Sequence, residues 1–346
     1  MVRMHRINLL IGVVLFALVP IGTLYAQEDT SISLSDCRTV LEGEVDISFS
    51  TEEWYRCALM EMADGQPENA LRCLSHIDAR HKKEAILLTE AKALLQTYRF
   101  EESAAIAGKL KKNRNYRNVA DSLLNQIQRT QRFVDNCVRV EVTDSTRLEH
   151  IETLASLKLL SAEWGAISFE PLTGNWIYKT ALGYETFYTK LDEDGISHIY
   201  YRRAVDDEVI EERELTELNT PKGEFYPILR QDGETLYFAS YSDEGMGGME
   251  LYVARRDPDT RQFLRPTLLG APFNSPFDDC FLIFDDLSGK GILASGRFAP
   301  KGTLNLYTFV LADFFPPIPA NSVEEKITQA KLMPWRMLML EEDAIQ

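Results

Sequence analysis

Two internal repeats of different period, meeting near residue 140, constrain this chain more than any other feature. Before that point apolar residues recur at helical spacing and align with themselves at an offset of 33: Ala58 with Ala91, Gly65 with Tyr98, Pro67 with Phe100, Ala70 with Ser103 and Leu74 with Ala107. After it, short runs rich in Tyr, Phe, Ile and Val are punctuated by Gly, Asp, Asn and Pro, which is the signature of strands and turns. Those runs recur at 51–55 residues: Phe187 with Phe238 and Ile199 with Leu251, then Ala239 with Ala294 and Leu251 with Leu306. A repeat of either kind cannot bury its apolar face alone and must stack on its neighbours. The expected fold class is therefore α then β, with helical repeats followed by antiparallel sheets.

In the helical half, a helix beginning at Thr51 carries Trp54, Cys57, Ala58, Leu59 and Met62, and breaks at Asp64-Gly65-Gln66-Pro67. Pro67 suits the first turn of the next helix, where its missing N–H costs nothing. That helix places Ala70, Leu71, Leu74 and Ile77 on one face. The second copy runs through Ala91, Leu94 and Leu95 to Ser103, Ala104 and Ala107, with flanking helices at Leu34 to Leu41 and Tyr116 to Val134. Spacing and small-then-large pattern resemble the tetratricopeptide repeat over about 70 residues. That resemblance implies a groove for an extended peptide or a partner helix; a helical spacer supporting its neighbour is the other reading. The basic run Lys109, Lys111, Lys112, Arg114 and Arg117 lies at a helix end, where cations offset the macrodipole. It is read as a solvated terminus or as a dock for the acidic half.

The clearest strand unit spans 225–257. Asp232-Gly233 forms a tight turn, Leu236 to Ser240 a strand with alternating faces, Gly245-Met246-Gly247-Gly248 a loop, and Leu251 to Ala254 the next strand. Gln262 to Leu268 supplies a fourth strand. Residues 291–309 form a second copy, and Ala166 to Phe169 and Asn175 to Lys179 add strands upstream. The order Pro227, Asp232-Gly233, Leu236 to Ser240, Gly247-Gly248, Glu250-Leu251-Tyr252, Leu269-Gly270 and Asn274-Ser275-Pro276 resembles the WD40-like propeller repeat of the TolB family. It is closer to the versions in outer-membrane-associated OmpA-family proteins of the Bacteroidetes type, where helical repeats precede the propeller. The resemblance implies a structural repeat that binds envelope partners and transfers no catalytic residue. Only 26 residues follow Ala320, so an OmpA peptidoglycan-binding domain is not expected here. Three repeats are fewer than the four to eight blades of a closed propeller. An open or reduced propeller is expected, or one whose edges are covered by the helical half or a second copy.

The N-terminus reads as an export signal, with Arg3 and Arg6 ahead of an apolar run from Ile7 to Leu24 and a cleavage point after Ala26. An uncleaved anchor is the alternative. Cysteines 37, 57, 73, 137 and 280 fit no metal spacing; Cys57 and Cys73 lie on facing helices, either as a disulfide or as small buried residues. At the other end, Phe314 to Pro319 reads as a stiff polyproline-like segment, Ser322 as a helix cap, and Met333 to Leu340 as an apolar surface rich in methionine and carrying Trp335.

The formal charge of −16 is uneven: residues 27–140 carry 16 basic and 18 acidic side chains, and residues 141–346 carry 19 and 35. Such a surface repels phosphate, which excludes nucleic acid as a partner. The acids cluster as Asp192-Glu193-Asp194, Asp206-Asp207-Glu208, Glu211-Glu212, Asp278-Asp279 and Asp285-Asp286, mostly where turns are expected and where aspartates cap backbone N–H groups. Asp278, Asp279, Asp285 and Asp286 are candidate calcium ligands. His198 is the histidine placed beside a strand. No nucleophile elbow, zinc helix, phosphate loop or dinucleotide fingerprint occurs, so no catalytic, metal or cofactor residue is assigned.

The expected organisation is a signal peptide at 1–26, a tetratricopeptide-like domain at 27–140, a WD40-like propeller-type domain at 141–320 and a helical tail at 321–346. The expected function is a non-catalytic, exported interaction or scaffold protein of the bacterial cell envelope, periplasmic and associated with the outer membrane. Its partners would be envelope proteins, with self-association through open sheet edges a further route. The competing readings are an exported glycan- or peptide-processing enzyme and a calcium-dependent carbohydrate-binding module.

Overall fold

The structure, a computed structural model, describes residues 32–43, 48–155, 164–285, 288–311, 318–319 and 321–332. The expected signal peptide, Asp286, most of the segment read as polyproline-like and residues 333–346 lie outside the described residues.

Six helices come first: α1 (Leu34–Leu41), α2 (Thr51–Ala63), α3 (Pro67–Ser75), α4 (Glu84–Gln96), α5 (Phe100–Leu110) and α6 (Arg117–Asp135). Ser33 and Ser50 open the first two with reciprocal caps, each hydroxyl accepting an N–H three residues on while the acid there accepts the serine N–H. The offset of 33 holds in three dimensions. Pro67 and Phe100 begin equivalent helices, and Gly65 and Tyr98 both take left-handed backbone, φ +69° and +64°. Where the repeat exchanges Ala70 for Ser103, the new hydroxyl donates to Ala91 O at 2.7 Å, so the close helix approach is kept without an orphaned polar group.

The disulfide joins Cys37 to Cys57, and Cys73 is a buried free thiol. The pairing considered for Cys57 and Cys73 is thus corrected: α1 packs on α2 and brings Cys37 to a Cα–Cα distance of 5.7 Å from Cys57. These residues share a core with Trp54, Ala58, Ala70, Leu74, Ile77 and Ile86.

Thirteen strands follow among the described residues, in three antiparallel sheets. The first contains β2 (Ala166–Glu170), β3 (Asn175–Lys179), β4 (Glu185–Leu191), β5 (Ser197–Val205) and β6 (Glu208–Glu214), in that order. The second runs β7 (Glu224–Leu229), β8 (Thr235–Tyr241), β9 (Met249–Arg255), β10 (Thr267–Leu268). The third is β11 (Asp279–Phe284), β12 (Lys290–Ser295), β13 (Leu304–Leu311), and finally β1 (Val140–Leu148), which is first in sequence and outermost in the sheet. That edge is covered by a strand of the sheet half rather than by the helices or a second copy: β1 pairs with β13 from Val140↔Leu311 to Leu148↔Leu304. Unpaired N–H and C=O groups on that edge are satisfied by the segment that leaves the helices.

The second sheet is the middle layer, with β7 packed on the first sheet and β11 on β8 and β9. In consequence β8 is buried on both faces from Thr235 to Ser240, where alternation was expected. The fourth strand expected over Gln262 to Leu268 shrinks to the two residues of β10 and a single bridge, Arg256↔Phe263. Pro266 between them has no N–H to offer a ladder.

The helical and strand halves interlock. Met246, in the glycine loop between β8 and β9, is fully buried among Ala91, Leu95, Leu123 and Ile127. On α6, Gln126 donates to Met246 O at 2.6 Å and Arg129 to Gly245 O at 3.0 Å. Lys301 N donates to Ala63 O at 2.7 Å, and a Cβ on Gly65 would stand 2.1 Å from Ala299 O. Helix α7 (Val323–Lys331) returns to this seam, where Tyr98 donates to Ala330 O at 3.0 Å. Ser322 precedes α7, but its side chain makes no capping hydrogen bond, which corrects that expectation. The basic run at the α5–α6 junction stays solvated and Lys111 pairs with Asp121 on its own half, so it is not a dock for the acidic half.

Candidate functional site

Each of the two later sheets is anchored by the same short motif. Asn219-Thr220-Pro221 ahead of β7 and Asn274-Ser275-Pro276 ahead of β11 are 55 residues apart. Each asparagine pairs with a strand edge as though it were a strand residue. Asn219 accepts from Ile199 N and donates to Ile199 O (2.9 and 3.1 Å), and Asn274 does the same to Leu251 (2.7 and 3.0 Å). The hydroxyl residue that follows donates to a buried acid at the start of the next strand. Thr220 gives its N–H and hydroxyl to Glu224, Ser275 gives both to Asp279, and Ser240 and Ser295 complete the equivalent sets.

The two acids then diverge. Asp279 meets the fully buried Arg297 at 2.7 Å, and that guanidinium also donates to Ser295 Oγ, Ala330 O and Phe273 O. Burial opposes the Arg297 charge, but Asp279 outweighs it and holds the pKa above the ordinary guanidinium value. The equivalent position in the other repeat is Ser242, so Glu224 has no arginine. Burial pushes its carboxyl up, and His198 Nδ1 stands 3.8 Å away. A third acid, Glu250, is fully buried under the glycine loop, where burial raises it well above the usual carboxylate range. Its Oε1 accepts from Gly247 N, while Oε2 has no partner among the described residues.

A cavity of about 510 Å³ opens to solvent where α2, the second sheet and the third sheet meet. Met62, Ala63, Gly65 and Gln96 form its helical wall, with Tyr226, Tyr241, Met249, Phe277, Asp278, Cys280 and Leu304 opposite. Tyr226 sits at a β-bulge in left-handed backbone, φ +53°, and Trp176 packs edge-on against its ring at 4.9 Å. Among the described residues neither the Tyr226 nor the Tyr241 hydroxyl has a hydrogen-bond partner. Burial raises Tyr226 well above the ordinary phenol value and Tyr241 to about 12, so both stay neutral donors. Burial likewise keeps the Cys280 thiol protonated. Asp278 is exposed at the mouth, and its Oδ1 accepts from Met249 N at 2.8 Å.

The acids singled out in the sequence are scattered. Asp192 accepts two backbone N–H groups in its turn, as do the turn residues Asp232 and Asp257 outside those clusters. Asp206 and Asp207 form the left-handed hairpin between β5 and β6, and Glu212 meets Tyr188 and Arg202 on the face of the first sheet. Asp278 precedes β11 and Asp279 begins it, while Asp285 follows its end, roughly 20 Å away at the rise of a strand. The proposed calcium quartet is therefore not one site. Among the described residues no group of three or more His, Cys, Asp or Glu side chains is arranged to hold a metal ion. His198 lies within β5 rather than before it, with Nε2 3.2 Å from Asp192. Sequence reading missed the two phenols, the Met246 contact and the earlier copy of the Asn-Thr/Ser-Pro motif, which the offset of 55 would have exposed.

No described helix is long and apolar enough to cross a membrane. No protein-family model and no curated protein matches the sequence. Among solved structures the chain is similar to TolB from Acinetobacter baumannii, at 14% identity, over 43% of this chain and 44% of that one, with a TM-score of 0.19. The match thus spans less than half of that structure's length, and a likeness this slight says nothing of what the present chain binds.

Proposed function

We propose that this chain is a non-catalytic, exported protein that binds other proteins of the bacterial cell envelope and acts there as a scaffold. The observation that carries this reading is the interlocked seam. Met246, Gly65 and the Arg297–Ala330 contact fasten the helices to the sheets as one rigid support, and the cavity at that seam remains open to solvent. The groups lining it are neutral phenols, a protonated thiol, one exposed carboxylate, the cation of Lys301, the polar side chains of Gln96 and Thr303, and apolar side chains, a set suited to holding a ligand rather than activating one.

The tetratricopeptide-like and WD40-like resemblances supply the class of partner, and the export signal supplies the compartment. One correction to the expected mode follows from the fold. The helical face formed by α4 and α6 is filled by Met246, so partners approach the seam cavity and the exposed edge strand β6 rather than that face. Crosslinking and affinity purification of the tagged protein from envelope fractions tests the proposal. Recovery of a defined set of envelope proteins is expected; recovery of the bait alone overturns it.

A further inference from the structure

The seam cavity admits a sharper assignment, which rests on the partner-binding reading above. Three rings, Tyr226, Tyr241 and Phe277, face a space large enough for a long side chain, and Met249 and Leu304 supply apolar wall. Asp278 stands at the mouth with Oδ1 committed to Met249 N and, among the described residues, no partner on Oδ2. Gly248 makes that placement possible, since a Cβ there would lie 2.7 Å from Asp278 Oδ1. The Asp278 charge acts on both phenols, and Glu152, next to the lining residue Ile151, adds a second solvent-facing carboxylate against the single lining cation Lys301. Aromatic faces attract cations, and the carboxylates of Asp278 and Glu152 beside them outnumber the one lining cation, Lys301. Residues 141–346, which supply most of its walls, carry 19 basic and 35 acidic side chains, and that excess draws basic segments toward this half.

We propose that this cavity takes a lysine or arginine side chain presented by an extended segment of a partner protein. Its aliphatic stem packs on Met249 and Leu304, and its charged head sits between Asp278 and the hydroxyls of Tyr226 and Tyr241. The phenols accept from the head, and the Asp278 Oδ2 closes the pair.

Calorimetric titration of the full chain with the peptide Gly-Ser-Lys-Ser-Gly, blocked at both ends, tests the assignment. Saturable one-to-one binding is expected, weaker by at least about tenfold for the norleucine and glutamate peptides and for lysinamide. Asp278→Asn keeps an acceptor for Met249 N–H and so keeps the fold; it should weaken the lysine peptide by about tenfold, while Lys301→Glu should tighten it. Equal binding of the norleucine peptide, or no effect of Asp278→Asn, overturns the cation assignment, and equal binding of lysinamide overturns the partner segment. No binding of any peptide overturns the cavity assignment but leaves the scaffold reading standing if envelope partners are still recovered.

Discussion

Removing Arg297 should destabilise this protein more than removing any surface charge, and the structure sets the size of the loss. Arg297 and Asp279 are both fully buried, with Nη2 and Oδ1 at 2.7 Å. In Arg297→Met the Asp279 carboxylate loses its counter-ion while Ser275 and Ser295 still donate to it, and Ala330 O and Phe273 O lose a donor. Breaking a buried pair from one side costs about 3–5 kcal/mol, whereas replacing both partners by uncharged groups is often close to neutral. Arg297→Met should therefore lose about 3–5 kcal/mol in urea unfolding, and Asp279→Asn/Arg297→Met should recover at least half of it. The single variant should also depend more strongly on pH. Burial already raises the Asp279 carboxyl above its ordinary value near 3.8 against the pull of Arg297, and losing that cation raises it further, so the variant's stability should fall more steeply than the parent's as pH rises above that value. A loss below about 1 kcal/mol for Arg297→Met, or a double variant as unstable as the single, would refute the claim that this pair fastens α7 to the third sheet.

Two further outcomes follow. Glu250 is raised well above 4.5 in the folded state, so it binds a proton that the unfolded chain releases, and stability should decline as pH rises from about 4.5 toward neutrality. Glu250→Gln should flatten that decline and raise the melting temperature at pH 7; an unchanged pH profile would contradict the assigned environment. The Cys37–Cys57 bridge closes a segment of 20 residues, for which loop entropy gives about 3 kcal/mol, so reduction or Cys37→Ser should lower stability by that order, and an unchanged melting point in dithiothreitol would refute it.

Much of the α-then-β order is legible because both repeats write their constraints locally. Small residues at 58, 70, 91 and 107 mark close helix approaches, and the offset of 33 locates Tyr98 where Gly65 turns the chain. Strand pairs joined by short turns, such as β7 and β8 around Asp232-Gly233, are readable for the same reason. The pairing of β1 with β13 is not, because partners such as Val140 and Leu311 leave no local mark on one another. Met246 reads as the residue of a flexible glycine loop, and only the packed helices show it to be a buried contact. Tyr226 and Tyr241 are hard to recognise for the opposite reason: aromatic residues in strands ordinarily mean core, and it takes the bulge at Tyr226 to turn a core residue into a cavity wall. Cys57 has two candidate partners at similar spacing, and the packing of α1 on α2 decides between them.

Helices and sheets are held here to form one cooperative support, and hydrogen exchange of the intact chain under native conditions measures whether they do. If the seam of Met246, Gly65 and Arg297 couples the halves, the slowest amides of α4 to α6 and those of β8, β9 and β12 should open with the same free energy and the same denaturant dependence. Helical amides that open at distinctly lower free energy, with the sheets still protected, would contradict the account.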